Sequence, residues 1–218
     1  AGQPGPFYLG VHYTAPHSPW ERQHHPHAVY DAYFNHCDFS SIPLLPMHPW
    51  QVNSAPNGYT EETRRPLLSG YFAAVTALDR GVGEILDWLE AHGLRQNTLV
   101  LFTSDNGMNM GHHGIFGKGN GTFPANMYDT SIKVPLIASL PGQVAQGAVN
   151  QDLLSHYDLY PTLLDALELP NPQAGRLPGR SFAALLRGQA FQAQERVVVF
   201  DEYGPTRSIR TRQWKYIH

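Results

Sequence analysis

The sequence predicts an α/β fold: a mixed or parallel sheet flanked by helices, with the start of a small antiparallel sheet at the carboxyl end. Three observations predict it. Leu99-Val100-Leu101-Phe102 is apolar at consecutive positions, the pattern of a strand covered on both faces, as in parallel sheets. A long helical repeat precedes that run, and a second apolar run, Val134-Pro135-Leu136-Ile137-Ala138-Ser139, follows it. Strands and helices in this order build a sheet with helices laid upon it.

The elements follow in chain order. Phe7-Tyr8-Leu9-Gly10-Val11-His12-Tyr13 is rich in aromatic and aliphatic residues and predicts a strand. Pro16 and Pro19 end it. Residues 21–60 mix Pro, His, Asn and aromatics without a sustained period, which predicts a long, site-lining surface excursion with short helical turns. Tyr71, Val75, Leu78, Val82, Ile85 and Leu89 recur at helical spacing, so residues 61–91 predict a helix stopped by Gly93. The strand at 99–102 comes next, then a loop over 107–124, a helical turn over 125–130 and the strand at 134–139. Residues 155–167 predict a helix with Leu159, Leu163, Leu164 and Leu167 facing inward, and residues 179–186 a shorter one. Alternation in Arg196-Val197-Val198-Val199-Phe200-Asp201, Ser208-Ile209-Arg210-Thr211 and Trp214-Lys215-Tyr216-Ile217 predicts antiparallel strands. The expected division is 1–190 for the α/β part and 191–218 for the β-rich part.

Composition excludes several classes. The net charge of −3 comes without a basic cluster, so nucleic acid is not an expected partner. No apolar run approaches the roughly 20 residues that a membrane helix needs. With one cysteine, Cys37, no internal disulfide can form. Cys37 reads either as a nucleophile beside His36 or as a passive, packed thiol. Ala1-Gly2-Gln3-Pro4-Gly5-Pro6 is a loop-like lead-in without an initiator Met, as expected of a processed or excised piece.

The chemistry concentrates around Ser104-Asp105-Asn106-Gly107. Ligands in open α/β sheets bind beyond the carboxyl ends of strands. There Asp105 and Asn106 offer two oxygen donors to a hard cation, and Gly107 lets the backbone turn away. Lys118 follows in the glycine-rich Gly117-Lys118-Gly119. A metal pair and a lone cation on adjacent loops point to an oxyanion ester. The plainer reading of the first motif is an Asx turn; of Lys118, a solvated loop lysine; of His17, a loop residue between prolines.

In their order and spacing these segments resemble the type I sulfatases of the alkaline-phosphatase superfamily. The resemblance is carried by Tyr13-Thr14-Ala15-Pro16-His17-Ser18-Pro19-Trp20, by the helix around Tyr71 to Ile85, by Phe102-Thr103-Ser104-Asp105-Asn106-Gly107, by Gly111-His112-His113-Gly114-Ile115-Phe116-Gly117-Lys118, and by Met127-Tyr128-Asp129-Thr130-Ser131-Ile132-Lys133-Val134-Pro135-Leu136-Ile137. His156 to Leu163 and Ile209 to Tyr216 add to it. It implies an alkaline-phosphatase-like fold and hydrolysis of sulfate esters, carbohydrate sulfates among them. It implies Asp105 and Asn106 as metal ligands, Lys118 on a sulfate oxygen, and His17 as sulfate ligand and acid for the leaving alkoxide. His113 is either a pocket-lining residue or a structural one, and Asn120 a further substrate contact. An all-oxygen pair suits Ca²⁺, with Mg²⁺ as the alternative; imidazole at the second position would favour zinc.

The family's nucleophile is a formylglycine made in a Cys/Ser-x-Pro-x-Arg motif, which this sequence lacks; Cys37 is followed by Asp38-Phe39-Ser40-Ser41. The family's first acidic metal pair is also missing. The expectation is therefore a carboxyl-terminal portion of a sulfatase, with formylglycine in an amino-terminal part, inactive alone and self-associating through exposed sheet edges. The alternatives are a phosphate or phosphonate monoester hydrolase of the same superfamily, or a non-enzymatic protein that keeps half the pocket.

Overall fold

The computed structural model describes residues 5–52, 58–201 and 204–218. The lead-in at 1–4 and residues 53–57 of the excursion lie outside the described residues. Helix α1 spans His27–His36 and α2 spans Glu61–Ala91. The start of α2 is written in its sequence: Thr60 and Thr63 form a reciprocal capping box, and Glu61 and Glu62 occupy the first turn. The predicted helix and its stop at Gly93 are both present.

The core forms where α2 meets the residues around the site. Trp20, Phe39, Leu67, Leu68, Met110 and Phe116 make one buried cluster. Leu68 is fully buried, and burying such a side chain contributes about 1.5–3 kcal/mol. At Gly70 a Cβ would collide with the Trp20 carbonyl oxygen, so a residue without a side chain lets the 16–20 segment lie directly on the helix. Buried Arg64 donates to the carbonyls of Phe39 and Ile42 and pairs with Glu61, which settles the charge that its burial would otherwise strand.

The excursion is more regular than its composition predicts. The ten-residue α1 packs on α2, where Tyr30 donates to the Pro66 carbonyl at 3.1 Å and Tyr33 bonds Thr76 at 2.8 Å. Cys37, just past its end, is free and packs against the core cluster, as its passive reading expects.

The sheets differ from expectation in pairing. Strand β1 (Val100–Thr103) pairs antiparallel with β4 (Leu136–Ser139), Val100 opposite Ser139. The apolar run reports burial, not the direction of its neighbour, so the parallel reading does not hold for this pair. Residues 7–13 form no strand; Tyr8 is 80% exposed. A strand needs a ladder partner, and among the described residues none is paired with this segment. Between β1 and β4 lie two short strands, β2 (Asn109–Met110) and β3 (Phe116–Gly117), paired antiparallel, and α3 (Asp129–Ile132), a few residues later than the predicted turn.

Beyond β4, a short 3₁₀ turn leads into α4 (Leu159–Ala166), and α5 spans Ala183–Leu186. Leu159, Leu163 and Leu164 are half-buried, but Leu167 is exposed. Asp158 and Thr162 are the buried residues instead. Their hydrogen bonds to Ser155, Arg180, Gln194 and Phe182 fasten the surrounding loops. The carboxyl end is the predicted three-stranded antiparallel sheet, β5 (Val197–Phe200), β6 (Arg207–Arg210) and β7 (Lys215–Ile217).

Candidate functional site

Asp105 and Asn106 follow β1 directly. The Asp105 Oδ1 accepts from the Asn106 backbone N–H at 2.7 Å, and Asn106 Nδ2 donates to the Gly107 carbonyl at 2.9 Å. This is the Asx-type turn of the plainer reading, and it does not compete with metal binding. Among the described residues it leaves Asp105 Oδ2 and Asn106 Oδ1 without hydrogen bonds. Both are hard oxygen donors, so the pair fits Ca²⁺ or Mg²⁺ in kind. It does not fit in number: no group of three or more His, Cys, Asp and Glu side chains that could hold a metal occurs among the described residues.

Lys118 reaches the same end of the molecule through β2 and β3. Asn109 faces Gly117 and Met110 faces Phe116, so the chain leaving β3 at Lys118 runs beside the chain entering β2 from Asn106. Met110, Ile115 and Phe116 are buried and anchor this pair of strands in the core. Lys118 itself is half-buried, and among the described residues its ammonium has no carboxylate at ion-pair distance. A cation so placed is available to an anionic ligand.

What fixes the two loops against each other is a buried amide network. Asn109 Nδ2 donates to the Gly117 carbonyl at 3.0 Å and to Ser131 Oγ at 2.7 Å, while Thr130 Oγ1 donates to Asn109 Oδ1. Ser131 Oγ donates in turn to Asn126 Oδ1 at 2.6 Å. Asn126 Nδ2 donates to the Gly119 carbonyl at 3.0 Å and lies 3.3 Å from the Lys118 carbonyl. Gly107 N–H donates to the Ser131 carbonyl at 2.9 Å. A Cβ at Gly107 would strike the Thr130 carbonyl oxygen, so the close approach requires glycine. Asn109, Asn126, Thr130 and Ser131 are absent from the sequence-predicted site. No local signal singled them out: in the sequence they are two asparagines and a Thr-Ser pair with no shared pattern, and only their burial, where amides need partners, reveals the network.

His113 has a left-handed backbone (φ 58°) and stacks on Tyr128, rings 4.1 Å apart and 16° from parallel. Tyr128 also meets His48 edge-on, and His48 meets Trp50. The Trp50 N–H donates to His48 Nδ1 at 3.1 Å, which assigns the proton of neutral His48 to Nε2. Burial, and then the charge of His113, push the His112 imidazole below its ordinary range.

His17 sits apart from this network. Its backbone N–H closes a turn on the Thr14 carbonyl at 3.0 Å, and Nδ1 donates to the Ser18 carbonyl at 2.9 Å; the residue is exposed, and among the described residues Nε2 has no hydrogen bond. Among the described residues no hydrogen bond joins His17 to the Asp105 or Lys118 loops. The link is through packing: Trp20, whose Nε1 bonds the Pro16 carbonyl, belongs to the same core cluster as Met110 and Phe116.

Hard oxygens at the end of a strand and, among the described residues, a lysine without a carboxylate partner on the adjoining loop are groups of the kind that a cation and an anionic ligand require. The sulfatase family model matches residues 1–169, and the chain belongs to the sulfatase family. The endo-4-O-sulfatase of Bacteroides thetaiotaomicron is 30% identical to it over 181 residues, 83% of this chain and 32% of that protein. A protein solved in complex with its substrate, D-glucosamine-2-N,6-O-disulfate, superposes with a TM-score of 0.64 at 27% identity, over 72% of this chain and 32% of that one. The phosphonate monoester hydrolase of Agrobacterium radiobacter does so with a TM-score of 0.61 at 25% identity, over 73% of this chain and 34% of that one. The fold is the alkaline-phosphatase-like α/β fold. The chain spans 30 to 34% of the length of three curated relatives that it matches, so it represents about a third of such a protein. Among the described residues no helix is long and apolar enough to cross a membrane.

Proposed function

We propose that this chain supplies the lysine side of the pocket of a sulfuric-ester hydrolase acting on sulfated carbohydrates. The observation that carries the reading is the network from Asn109 to Asn126, which ties the Asp105–Asn106 loop to the loop of Lys118. In this reading the Lys118 ammonium holds a non-bridging sulfuryl oxygen and offsets the charge that grows during transfer. The His17 ring, fixed through Nδ1, presents Nε2 to protonate the departing alkoxide, which leaves poorly without a proton. His113, stacked on Tyr128, lines the substrate side. Asp105 and Asn106 would hold Ca²⁺, with Mg²⁺ as the alternative; such an ion, when bound, polarises the sulfuryl group. The remaining ligands and the formylglycine nucleophile come from outside these 218 residues, and the chain alone is inactive.

The test is a titration of the chain with sodium sulfate and then with calcium chloride, followed by backbone amide shifts in NMR. Sulfate is expected to move Lys118 and Gly119, an effect lost in Lys118→Ala, and calcium to move Asp105 and Asn106. Sulfate shifts that survive Lys118→Ala would remove the basis of the proposal. The reading frame upstream is a second check: Cys/Ser-x-Pro-x-Arg there supports a sulfatase. The likeness to the phosphonate monoester hydrolase keeps one second reading, and a preference of the longer protein for phosphonate monoesters over sulfate esters would favour it.

A further inference from the structure

The three-stranded sheet at the carboxyl end lies beyond residue 169, where the family match stops. Its side chains nevertheless reach the segment that holds the pocket loops together. Lys215, on β7, hydrogen-bonds the Asp129 carboxylate and donates to the Met127 carbonyl at 2.7 Å. Arg210, at the end of β6, sets one guanidinium nitrogen 3.1 Å from each Asp129 oxygen. The strand register puts Arg210 opposite Lys215, so two neighbouring cations converge on one carboxylate. Burial works to raise the Asp129 carboxyl, but the Lys215 hydrogen bond and charge, and then Arg210, outweigh it and hold the group below the usual carboxylate range.

Asp129 is the first residue of α3, and the next two residues are the hub of the amide network. Thr130 donates to Asn109. Ser131 joins Asn109 to Asn126 through its hydroxyl and receives Gly107 on its carbonyl. One turn of helix is therefore held at its first residue by the sheet. At its second and third residues it holds the loops of Asp105–Asn106 and Lys118. Two further polar ties of the carboxyl region, Arg212 to Asp152 and Gln194 to Asp158, bypass α3.

We infer that Asp129 is a positioning residue for the pocket, and that its clamp by Arg210 and Lys215 makes the carboxyl-terminal sheet part of the scaffold of the sulfate site. The inference rests on the reading of the Asp105 and Lys118 loops given above. Its mechanical core, the coupling of the sheet to those loops, is measurable without any ligand.

The experiment is amide hydrogen exchange on the chain and four variants. Asp129→Asn keeps the shape and removes the charge; Lys215→Met removes one cation. Both are expected to speed exchange at the Gly107 and Asn126 amides about two- to fivefold, the range that one partly exposed ion pair supports. Leu68 and Ala74 in α2 should keep their rates. Lys215→Arg should restore protection at Gly107 and Asn126, and Arg212→Ala, which cuts a tie that bypasses α3, should leave both unchanged. Faster exchange confined to β5–β7 would reduce the clamp to a staple for the sheet and overturn the inference. Equal acceleration at Leu68 would also overturn it, as a global loss of stability. The sulfate titration is run separately: a wild-type chain that shows the coupling but never binds sulfate loses the proposed function and keeps the clamp.

Discussion

Replacing Asn109 by alanine should be among the costliest single changes near the pocket. Asn109 is 0% exposed, and its side chain makes three hydrogen bonds, to Gly117, Ser131 and Thr130. A neutral hydrogen bond contributes about 0.5–1.5 kcal/mol net, so losing three costs about 1.5–4.5 kcal/mol. The partners decide where in that range the loss falls. Ser131 keeps Asn126, and half-buried Thr130 regains water, but the Gly117 carbonyl lies on the buried strand β3. The expected loss is therefore about 3 kcal/mol, a large part of the 5–15 kcal/mol that holds a typical domain. Reversible denaturant unfolding should show a lower midpoint with an unchanged slope. Asn120→Ala, at an exposed position in the Lys118 loop, is the control and should stay within about 0.5 kcal/mol. A loss for Asn109→Ala no larger than the control's would refute the argument that buried amides hold the site loops. Asn109→Asp sharpens the test. At neutral pH it turns the donor that faces two oxygens into a third oxygen, so it should destabilise at least as much as alanine. Acid, by protonating the new carboxyl, should partly rescue it.

Three further outcomes follow from the site. The isolated chain should not turn over aryl sulfates, because it contains no residue in a formylglycine motif and so lacks the covalent route; turnover that survives repurification and disappears in Lys118→Ala would contradict this. Calcium should bind no more tightly than about millimolar, since two of the roughly 6–8 oxygens that the ion takes are present; calorimetry giving micromolar affinity that Asp105→Ala abolishes would reveal ligands outside the pair. The Asp129 clamp should carry a pH signature. Its folded carboxyl titrates below the unfolded value, near 3.9, so below that value the unfolded chain binds more protons and stability rises with pH. The clamp's contribution is complete above about pH 4 to 5 and is lost as pH falls through the folded value. The stability gap between wild type and Asp129→Asn should close accordingly, and a gap constant from pH 7 to pH 3 would mean that charge is not what Asp129 contributes.

The elements that were legible in the sequence are those whose cause is local. The helix α2 could be read from its repeat, its threonine cap and its glycine stop. The carboxyl-terminal strands could be read from alternation. Helix α1 was not read from the sequence: Tyr30, Tyr33 and Phe34 stand at helical spacing, but one short face among histidines and prolines makes no sustained period. Asp105, Asn106 and Lys118 stood out as candidates because a hard-oxygen pair after an apolar run and a lone cation between glycines are chemically recognisable, while each motif alone also reads as an Asx turn or a solvated lysine. Strand direction was not legible, since consecutive apolar residues report only burial. Nor was the network that assembles the site. Asn109 and Ser131 are 22 residues apart and Asp129 and Lys215 are 86 apart. No local period records a contact over such distances, and each residue alone reads as a loop amide or a surface charge.

Self-association is the outcome most open to decision by a single measurement. The β1–β4 sheet has two strands, so among the described residues each strand keeps one unpaired edge. Ile137 on β4 is 58% exposed, and Phe7, Tyr8 and Leu9 stand exposed in a segment that joins no sheet. Open edges next to apolar side chains invite pairing with another chain. Light scattering at micromolar concentration should therefore give a mass above the 24.3 kDa of one chain. Ile137→Lys, a charge on the β4 strand, should lower that mass, while Leu167→Lys, an equally exposed apolar position away from the sheet, should not. If Leu167→Lys works as well as Ile137→Lys, the association is general stickiness rather than edge pairing. A monodisperse species of single-chain mass that unfolds cooperatively would end the argument, because it would show that the exposed edge and the 7–13 segment tolerate water without a partner. The Asn109 measurement is best made in the Ile137→Lys background, where the unfolding of one chain can be followed free of assembly.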